Sequence, residues 1–320
     1  MDFIGGSTAK NRGEYYMDSF YKIVSLQVNL FLLIGIGFVL AKIGMLKGQG
    51  RKTLSDLLLN VILPASILNA FLNGPEVGEG FGLTAGALIL ISALIQLLSQ
   101  VFSKIAFRSF GKDQYPVAAY GMLCSNSTFI GYPFAQALYG SVGIMLTSVF
   151  QIPIHITVWS VGQALFTKTN RGDMVKKLLL NPCILAVVLG MAAMLLKVTL
   201  PEPLRNTISS VSGCTTPISL FVVGAILADA SLKSLFSLRV LWFSLLRLAV
   251  FPAMVYLGLK LFSPEPVVLG ISVLMSAMPA GSTASILADK YGGDADLASR
   301  ITFTSTLCAM LTVPLWTLVL

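Results

Sequence analysis

Two short segments place proline, glycine and hydroxyl-bearing residues inside apolar stretches that would otherwise form uninterrupted membrane helices. The first covers residues 125–133, and the second covers residues 276–283. Pro133 and Pro279 each remove a helical hydrogen bond, and a free backbone N–H or C=O group that faces lipid costs several kcal/mol. The freed backbone must therefore lie inside the protein or beside a water-filled cavity. The two segments are candidates for one buried binding site.

The candidate ligands lie where each interrupted helix restarts. The start of a helix offers unpaired N–H groups and about half a positive charge, which suits a carboxylate. The residues at the two breaks that we expect to bind an anion are Asn126, Ser127, Thr128, Gly131, Pro133, Pro279, Gly281, Ser282 and Thr283. The alternative is that their hydroxyl groups only satisfy the kinked backbone and mediate helix packing.

Two further polar residues within apolar stretches are candidate ligands. Arg247 lies about 12 Å beyond Arg239 along a helix, well inside its stretch. A charge at that depth needs a partner or a ligand, although a long side chain could also extend back to the cytoplasmic surface. Asn60 lies one turn before Pro64, where its amide could line a path or link two helices.

Three titratable side chains are candidates for a proton-linked step. His155 lies near the middle of an apolar stretch, and histidine titrates closest to neutral pH, although a neutral packing role is the simpler alternative. Asp56 would lie at the start of its helix, where it could equally serve as a cap. Asp289 lies beside Lys290, so an ion pair and a gate are both open.

The composition identifies the class of protein that must position these residues. Hydrophobic residues make up 55% of the 320 and charged residues only 11%, with a mean hydropathy of +0.83, whereas a soluble domain is about a quarter charged. Ten apolar stretches could cross a hydrocarbon layer of about 30 Å: residues 20–41, 53–72, 81–103, 115–139, 142–166, 178–197, 204–229, 239–262, 266–288 and 296–320. The sequence therefore predicts an all-α polytopic membrane protein.

Several functional classes are disfavoured by what the sequence lacks. The spans leave short loops and no soluble domain, and no glycine-rich phosphate-binding loop occurs, which argues against an ATP-driven pump. The four cysteines all fall inside predicted spans, where they are expected to be small core residues and not a metal cluster or a disulfide framework. We expect no cofactor, no metal and no enzymatic activity.

The distribution of lysine and arginine predicts the orientation. Most of the 22 basic residues fall in the loops on one side. The positive-inside rule assigns that side to the cytoplasm and both termini to the outside. The net charge of +8 then does not indicate a nucleic acid as partner. We expect the basic residues to interact with the headgroups of membrane lipids. The polar tail does not resemble a cleaved signal, and translation could start at Met1 or at Met17.

The two interrupted spans are the fourth and the ninth, which indicates an internal repeat. Pro64 in the second span and Pro217 in the seventh each begin a Pro-x-Ser sequence, and Gly37 and Gly190 match at the same offset. Because a repeat of five spans is odd, the second copy must enter the membrane from the opposite side. The predicted organisation is a polar tail at 1–19, a first repeat at 20–166, a basic cytoplasmic loop at 167–177 and a second repeat at 178–320.

Four motifs resemble those of the bacterial auxin efflux carrier family. They are Asn-Ser-Thr-Phe-Ile-Gly-Tyr-Pro at 126–133, Asn-Val-Ile-Leu-Pro-Ala at 60–65, Asn-Pro at 181–182 and Met-Pro-Ala-Gly at 278–281. The resemblance covers residues 20–320. Within the family, the chain is similar to the malonate and malate permeases. It implies a secondary transporter of small organic anions such as malonate, malate or, in plants, auxin. It also implies a fixed dimerisation part built from spans one, two, six and seven, and a moving part in which spans four and nine cross.

The leading hypothesis is therefore a homodimeric carrier in the cytoplasmic membrane that works by alternating access at the crossing. His155, Asp56 and Asp289 are its candidates for coupling, and proton coupling, sodium coupling and uncoupled transport all stay open. One alternative is a membrane receptor or scaffold that does not transport and binds ligand from one side only. The other is a sodium-coupled symporter similar to the bile-acid symporters, whose sodium sites need carboxylates near the crossing.

The predicted orientation can be tested by cysteine labelling. Cysteines introduced at Glu79 and Glu202 should react with a membrane-impermeant thiol reagent added to intact cells, because the charge distribution assigns both loops to the outside. Cysteines at Lys112 and Arg171 should react only after the membrane is opened. The opposite pattern would overturn the charge-based orientation.

Overall fold

The computed structural model describes residues 25, 28–73, 80–167, 175–176, 179–228, 237–262, 264–281 and 283–320. The predicted polar tail at 1–19, most of the predicted basic loop at 167–177 and Ser282 lie outside the described residues, as does the side chain of Asp289.

Within these ranges all regular secondary structure is helical, apart from one isolated antiparallel bridge, and turns or short extended segments connect the helices. Several helices contain or adjoin a wider π-helical turn. The helices are α1 (Val28–Lys42), α2 (Gln49–Leu57, the π-turn Leu58–Ile62, and Leu63–Asn73), α3 (Phe81–Ala106), α4 (Tyr115–Leu123), α5 (Tyr132–Thr157, between the π-turns Ser127–Gly131 and Val158–Gly162), α6 (Pro182–Leu195), α7 (Glu202–Gly213), α8 (Thr215–Ala228), α9 (Leu238–Leu245, the π-turn Leu246–Val250, and Phe251–Lys260), α10 (Pro266–Ser276), α11 (Thr283–Tyr291) and α12 (Ala295–Val319).

Six of the described helical stretches are long and apolar enough to cross a membrane: Gln49–Leu72, Phe81–Ala106, Ser127–Gly162, Glu202–Ala228, Leu238–Lys260 and Ala295–Val319. The helices α1, α6 and α10 are apolar but shorter. The 14 residues of α6 rise only about 21 Å, less than the hydrocarbon thickness. The all-α, multi-pass prediction is confirmed at this level.

The stretch Ser127–Gly162 is a helical hairpin. Gly140 interrupts α5 with φ 60° and ψ −142°, a conformation that glycine adopts without steric cost. The side-chain amide of Gln151 donates to the Ser127 hydroxyl at 2.8 Å, although a continuous helix would hold residues at this spacing about 36 Å apart. The chain therefore reverses at Gly140, between the predicted spans 115–139 and 142–166.

Prolines inside the helices are accommodated by widened turns. Three π-helical turns end two residues before Pro64, Pro133 and Pro252. An intrahelical proline ring clashes with the carbonyl of the preceding turn, and a π-turn displaces that carbonyl. The sequence predicted that the helix is interrupted at Pro133. The structure shows instead that the helix continues through Pro133. The interruption lies upstream, where α4 ends at Leu123 and Cys124 is extended.

Glycine contacts join α1 to α8 and α2 to α6. A Cβ at Gly37 would strike the backbone of Phe221, and one at Gly224 would strike the carbonyl of Ile34, so the α1 and α8 backbones touch. A Cβ at Gly190 would lie 2.7 Å from the ring of Phe71. This close approach through small residues is the usual way that membrane helices pack.

A polar cluster joins the first residues of three helices at the end of the molecule that the charge pattern assigns to the cytoplasm. Gln114, just before α4, accepts from Arg239 of α9 at 2.8 Å and donates to Asp294 at 3.1 Å. Asp294 caps α12 by accepting from the N–H of Leu297. At the same end, the ammonium of Lys42 donates to the last carbonyl of α8.

The packing of α1 against α8 yields a prediction with a matched control. Gly37→Leu should lower the apparent melting temperature in detergent, because the added side chain meets backbone and overpacking costs about 1–3 kcal/mol or more. Gly35→Leu, two residues away on the same helix, should have little effect because nothing lies within 4 Å of its Cβ position. Equal destabilisation by both substitutions would contradict this packing.

Candidate functional site

The two interrupted segments contact each other directly. The N–H of Asn126 donates to the carbonyl of Pro279 at 2.7 Å, and the N–H of Gly281 donates to the carbonyl of Cys124 at 2.8 Å. Together they form the isolated antiparallel bridge. Each break thus satisfies backbone groups of the other, which is what a buried, non-helical segment requires. We call this contact the crossing.

Glycines permit the close approach at the crossing. A Cβ at Gly281 would lie 3.0 Å from the carbonyl oxygen of Cys124. A Cβ at Gly131 would lie 2.9 Å from the sulfur of Met275 in α10. Both glycines were predicted as ligands, and the structure places both in close packing between the two broken segments.

Arg247 lies buried beside the crossing, with only 2% of its surface exposed. Its Nε donates to the carbonyl of Met278 at 2.9 Å and its Nη1 to the carbonyl of Met122 at 3.1 Å. Met122 is in the last turn of α4, and Met278 follows the end of α10. The guanidinium therefore spans the two helix C-termini and does not extend back to the cytoplasmic surface.

A small polar cavity of about 10 Å³ adjoins Arg247, with room for about one water molecule. Its polar lining consists of Gln96, Ser99, Ser125, Arg247 and Ser276. Gln96 is 7% exposed, and its Oε1 has no hydrogen-bond partner among the described residues. No carboxylate belongs to the described lining.

Two residues outside the predicted site support the broken segments. Gln151 of α5 holds the Ser127 hydroxyl, as described above, and the hydroxyl of Ser305 in α12 accepts from the N–H of Ala280 at 3.2 Å. The hydroxyl of Ser127 therefore serves packing within the protein. By contrast, Thr128 is half-buried and Thr283, at the start of α11, is exposed.

Several predicted residues do not line the cavity beside the crossing. Asn60 and Asp56 are exposed on α2, and the amide of Asn60 donates to the backbone carbonyl of Asp56 at 2.8 Å. The helix begins at Gln49, about two turns before Asp56, so the capping interpretation of Asp56 is wrong. His155 is half-buried and does not line the cavity, although its neighbour Ile154 does.

The residues that support the crossing or line the cavity, but were not among the predicted site residues, share a detectable signal. Gln96, Ser99, Gln151 and Ser305 are amides and hydroxyls within apolar stretches. Gln96 and Ser99 lie one turn apart on α3 and face the same cavity. An amide inside a membrane span needs a partner, and this requirement marks such residues as candidates for a buried polar site.

Comparison with known proteins assigns the family. A family model described as "Membrane transport protein" matches residues 22–176 and 171–317. The chain is 27% identical over 314 residues to a protein of Methanothermobacter thermautotrophicus named "Uncharacterized transporter", with 92% of this chain and 97% of that protein covered. It is 24% identical over 306 residues to a protein of Rhizobium meliloti named "Putative malonate transporter", with 91% and 94% covered.

A further relative is a protein of Methanocaldococcus jannaschii named "Uncharacterized transporter", 21% identical over 300 residues, with 90% of this chain and 95% of that protein covered. These matches extend over nearly the whole chain. The chain belongs to the membrane transport protein family, the auxin efflux carrier family that its motifs indicated.

Proposed function

We propose that the protein is a secondary transporter that carries small organic anions across the cytoplasmic membrane by alternating access. The observation that carries this proposal is the direct contact between two helix breaks inside an apolar helical protein. Non-helical backbone at membrane depth is typical of substrate sites between discontinuous helices. Membership of a transport family supports a carrier and not an enzyme.

An anion is the substrate that suits the charges at the crossing. The helical segments that restart at Ser127 and Thr283 have their N-termini there, and each such end carries about half a positive charge. Arg247 bonds the carbonyls at the opposite, C-terminal ends of α4 and α10, which offsets their negative charge. The N-terminal ends are then left to attract a carboxylate.

The substrates that we propose are malonate, malate and related mono- and dicarboxylates, including auxin-like acids. A relative whose name mentions malonate supports this class. We assign direct contact with the anion to Asn126, Thr128 and Thr283, because two of these three side chains are at least partly accessible at the restarting ends. The glycines and prolines of the two breaks position the backbone.

The ten-span arrangement with two inverted five-span repeats, at 20–166 and 178–320, is part of the proposal. Its support is the correspondence between the halves. A short apolar helix, α1 or α6, leads each half. An irregular turn precedes the Pro-x-Ser sequence in both α2 and the α7–α8 pair, and each half contains one of the two breaks.

Transport requires the two parts of the molecule to separate. The cavity of about 10 Å³ beside Arg247 does not hold a dicarboxylate, so we propose that the substrate passes the crossing when the two parts separate. We propose that α1, α2, α6, α7 and α8 form the fixed part and that the remaining helices move against it. The Thr216 hydroxyl of α8 donates to the Gln136 amide oxygen of α5 at 2.9 Å, a contact between the two parts that movement would break.

The fixed part is also the proposed interface of a homodimer. Gly37 and Gly190 are filled by neighbours within the chain, so they are not free to pack against a second copy. The exposed apolar side chains of α1 and α6, among them Leu32, Val188 and Leu189, offer the surface instead. We also propose that both termini lie outside the cell, because the distribution of lysine and arginine predicts this orientation.

The proposed site predicts a loss of transport from two isosteric substitutions. Thr128→Val and Thr283→Val should each lower malonate or malate uptake into liposomes by roughly tenfold or more. A hydrogen bond to a charged group is worth about 1.5–3 kcal/mol, and about 1.4 kcal/mol is tenfold in affinity. The measurement is radiolabelled uptake by purified protein, with melting temperatures to verify folding.

The matched control is Thr207→Val on α7, whose exposed hydroxyl bonds only the Pro203 carbonyl of its own helix, and which should leave uptake unchanged. The proposal is contradicted if liposomes take up no mono- or dicarboxylate while Asn126→Ala and Gly281→Leu leave stability and ligand-induced melting shifts unaltered.

A further inference from the structure

The two helices that end at the crossing share one cation. The C-termini of α4 and α10 converge on the guanidinium of Arg247, which bonds one carbonyl from each. Each C-terminal end carries about half a negative charge. One fixed positive charge therefore matches the sum of the two ends.

Arg247 is held in this position from its own helix. It belongs to the π-helical turn of α9, and its guanidinium carbon lies 6.0 Å from the ring centroid of Phe251, one turn later. A cation over an aromatic face is stabilised further when both are buried. The π-turn, which precedes Pro252, thus sets the place from which the side chain reaches both broken segments.

Carbonyl groups at the ends of broken helices are the groups that bind a transported cation in discontinuous-helix carriers. Here the carbonyls of Met122 and Met278 already accept hydrogen bonds from Arg247. No carboxylate belongs to the described lining of the cavity. A sodium ion at this place would lie beside a fixed positive charge with its two carbonyl ligands occupied. In the described lining of this cavity, the buried amide oxygen of Gln96 has no hydrogen-bond partner.

We infer that Arg247 is a built-in countercharge that takes the place of a transported cation, so that the crossing is assembled without sodium and is selective for anions. With Arg247 present, the two negative helix ends are neutralised and the two positive ends stay uncompensated. With a neutral side chain, the four helix ends would cancel. The consequence for transport rests on the proposed function, whereas the electrostatic role does not.

The geometry separates this role from that of a direct substrate ligand. A carboxylate binds arginine best through two parallel N–H groups, and Arg247 already uses Nε and Nη1 for the two carbonyls. These two bonds are present without substrate, so a substrate carboxylate would meet only the remaining N–H groups of Nη1 and Nη2, and holding the helix ends does not depend on it. Arg247 is therefore a positioning residue, and its loss should affect the protein even when substrate is absent.

The first test is the stability of purified, substrate-free protein. Arg247→Ala should lower the melting temperature by several degrees, and millimolar methylguanidinium should restore part of the loss by occupying the vacated place. Methylammonium, which is a point charge without the planar fork, should restore less. Sodium should raise the melting temperature of Arg247→Ala more than that of the wild type.

The control is Arg239→Ala on the same helix, whose side chain bonds Gln114 at the surface and whose loss should not be restored by methylguanidinium. If Arg247→Ala does not fold, Arg247→Lys serves in its place because lysine retains the charge. Its melting temperature should fall less, and methylguanidinium should again restore more of the loss than methylammonium. A melting temperature of Arg247→Ala equal to that of the wild type, with only the substrate-induced shift lost, would overturn the inference in favour of a ligand role.

The second test is sodium dependence of the wild-type protein. Uptake of malonate or malate should be unchanged when potassium replaces sodium on both sides of the liposome membrane. Uptake that requires sodium would overturn the inference and leave the transport proposal intact. Absence of any uptake, with the rescue of Arg247→Ala by methylguanidinium observed, would overturn the transport proposal and leave the electrostatic role standing.

Discussion

The structure depends on one constraint, which is that backbone groups inside a bilayer must find partners within the protein. Two helices are broken near their middle, and each break supplies the donor or acceptor that the other lacks, through the pairs Asn126–Pro279 and Cys124–Gly281. Neither break could exist in lipid without the other. The side-chain supports from Gln151 and Ser305, and the close packing at the glycines, follow from holding this pair together.

The same constraint creates the electrostatics of the proposed function. Breaking two helices places two N-termini and two C-termini beside one another, and these ends carry opposite partial charges. Arg247 is buried at the C-terminal ends, and the described residues provide no carboxylate around it. The proposed preference for anions thus comes from backbone dipoles and one fixed charge.

Part of this arrangement could be predicted from the sequence, because it follows from local chemistry. Proline, glycine and hydroxyl residues within apolar stretches indicated both breaks, and the depth of Arg247 indicated a buried partner. The partners themselves could not be predicted, because they are backbone carbonyls whose positions are set by the tertiary fold. The same limit applies to Pro133, whose helix is widened and not interrupted, and to Asp56, whose helix begins at Gln49, earlier than predicted. The membership in a transport family, by contrast, was indicated by the motifs at the breaks and is confirmed.

The most direct measurement of the central claim is substrate protection at the crossing. A cysteine replaces Thr283, exposed at the start of α11, in a background in which the exposed Cys214 and the half-buried Cys308 are changed to serine and only the buried Cys124 and Cys183 are kept. Malonate or malate at saturating concentration should slow alkylation of this cysteine and leave a cysteine at Thr207 unaffected, because the anion occupies the restarting helix end. Equal alkylation rates with and without substrate, in protein that demonstrably transports it, would contradict a binding site at the crossing.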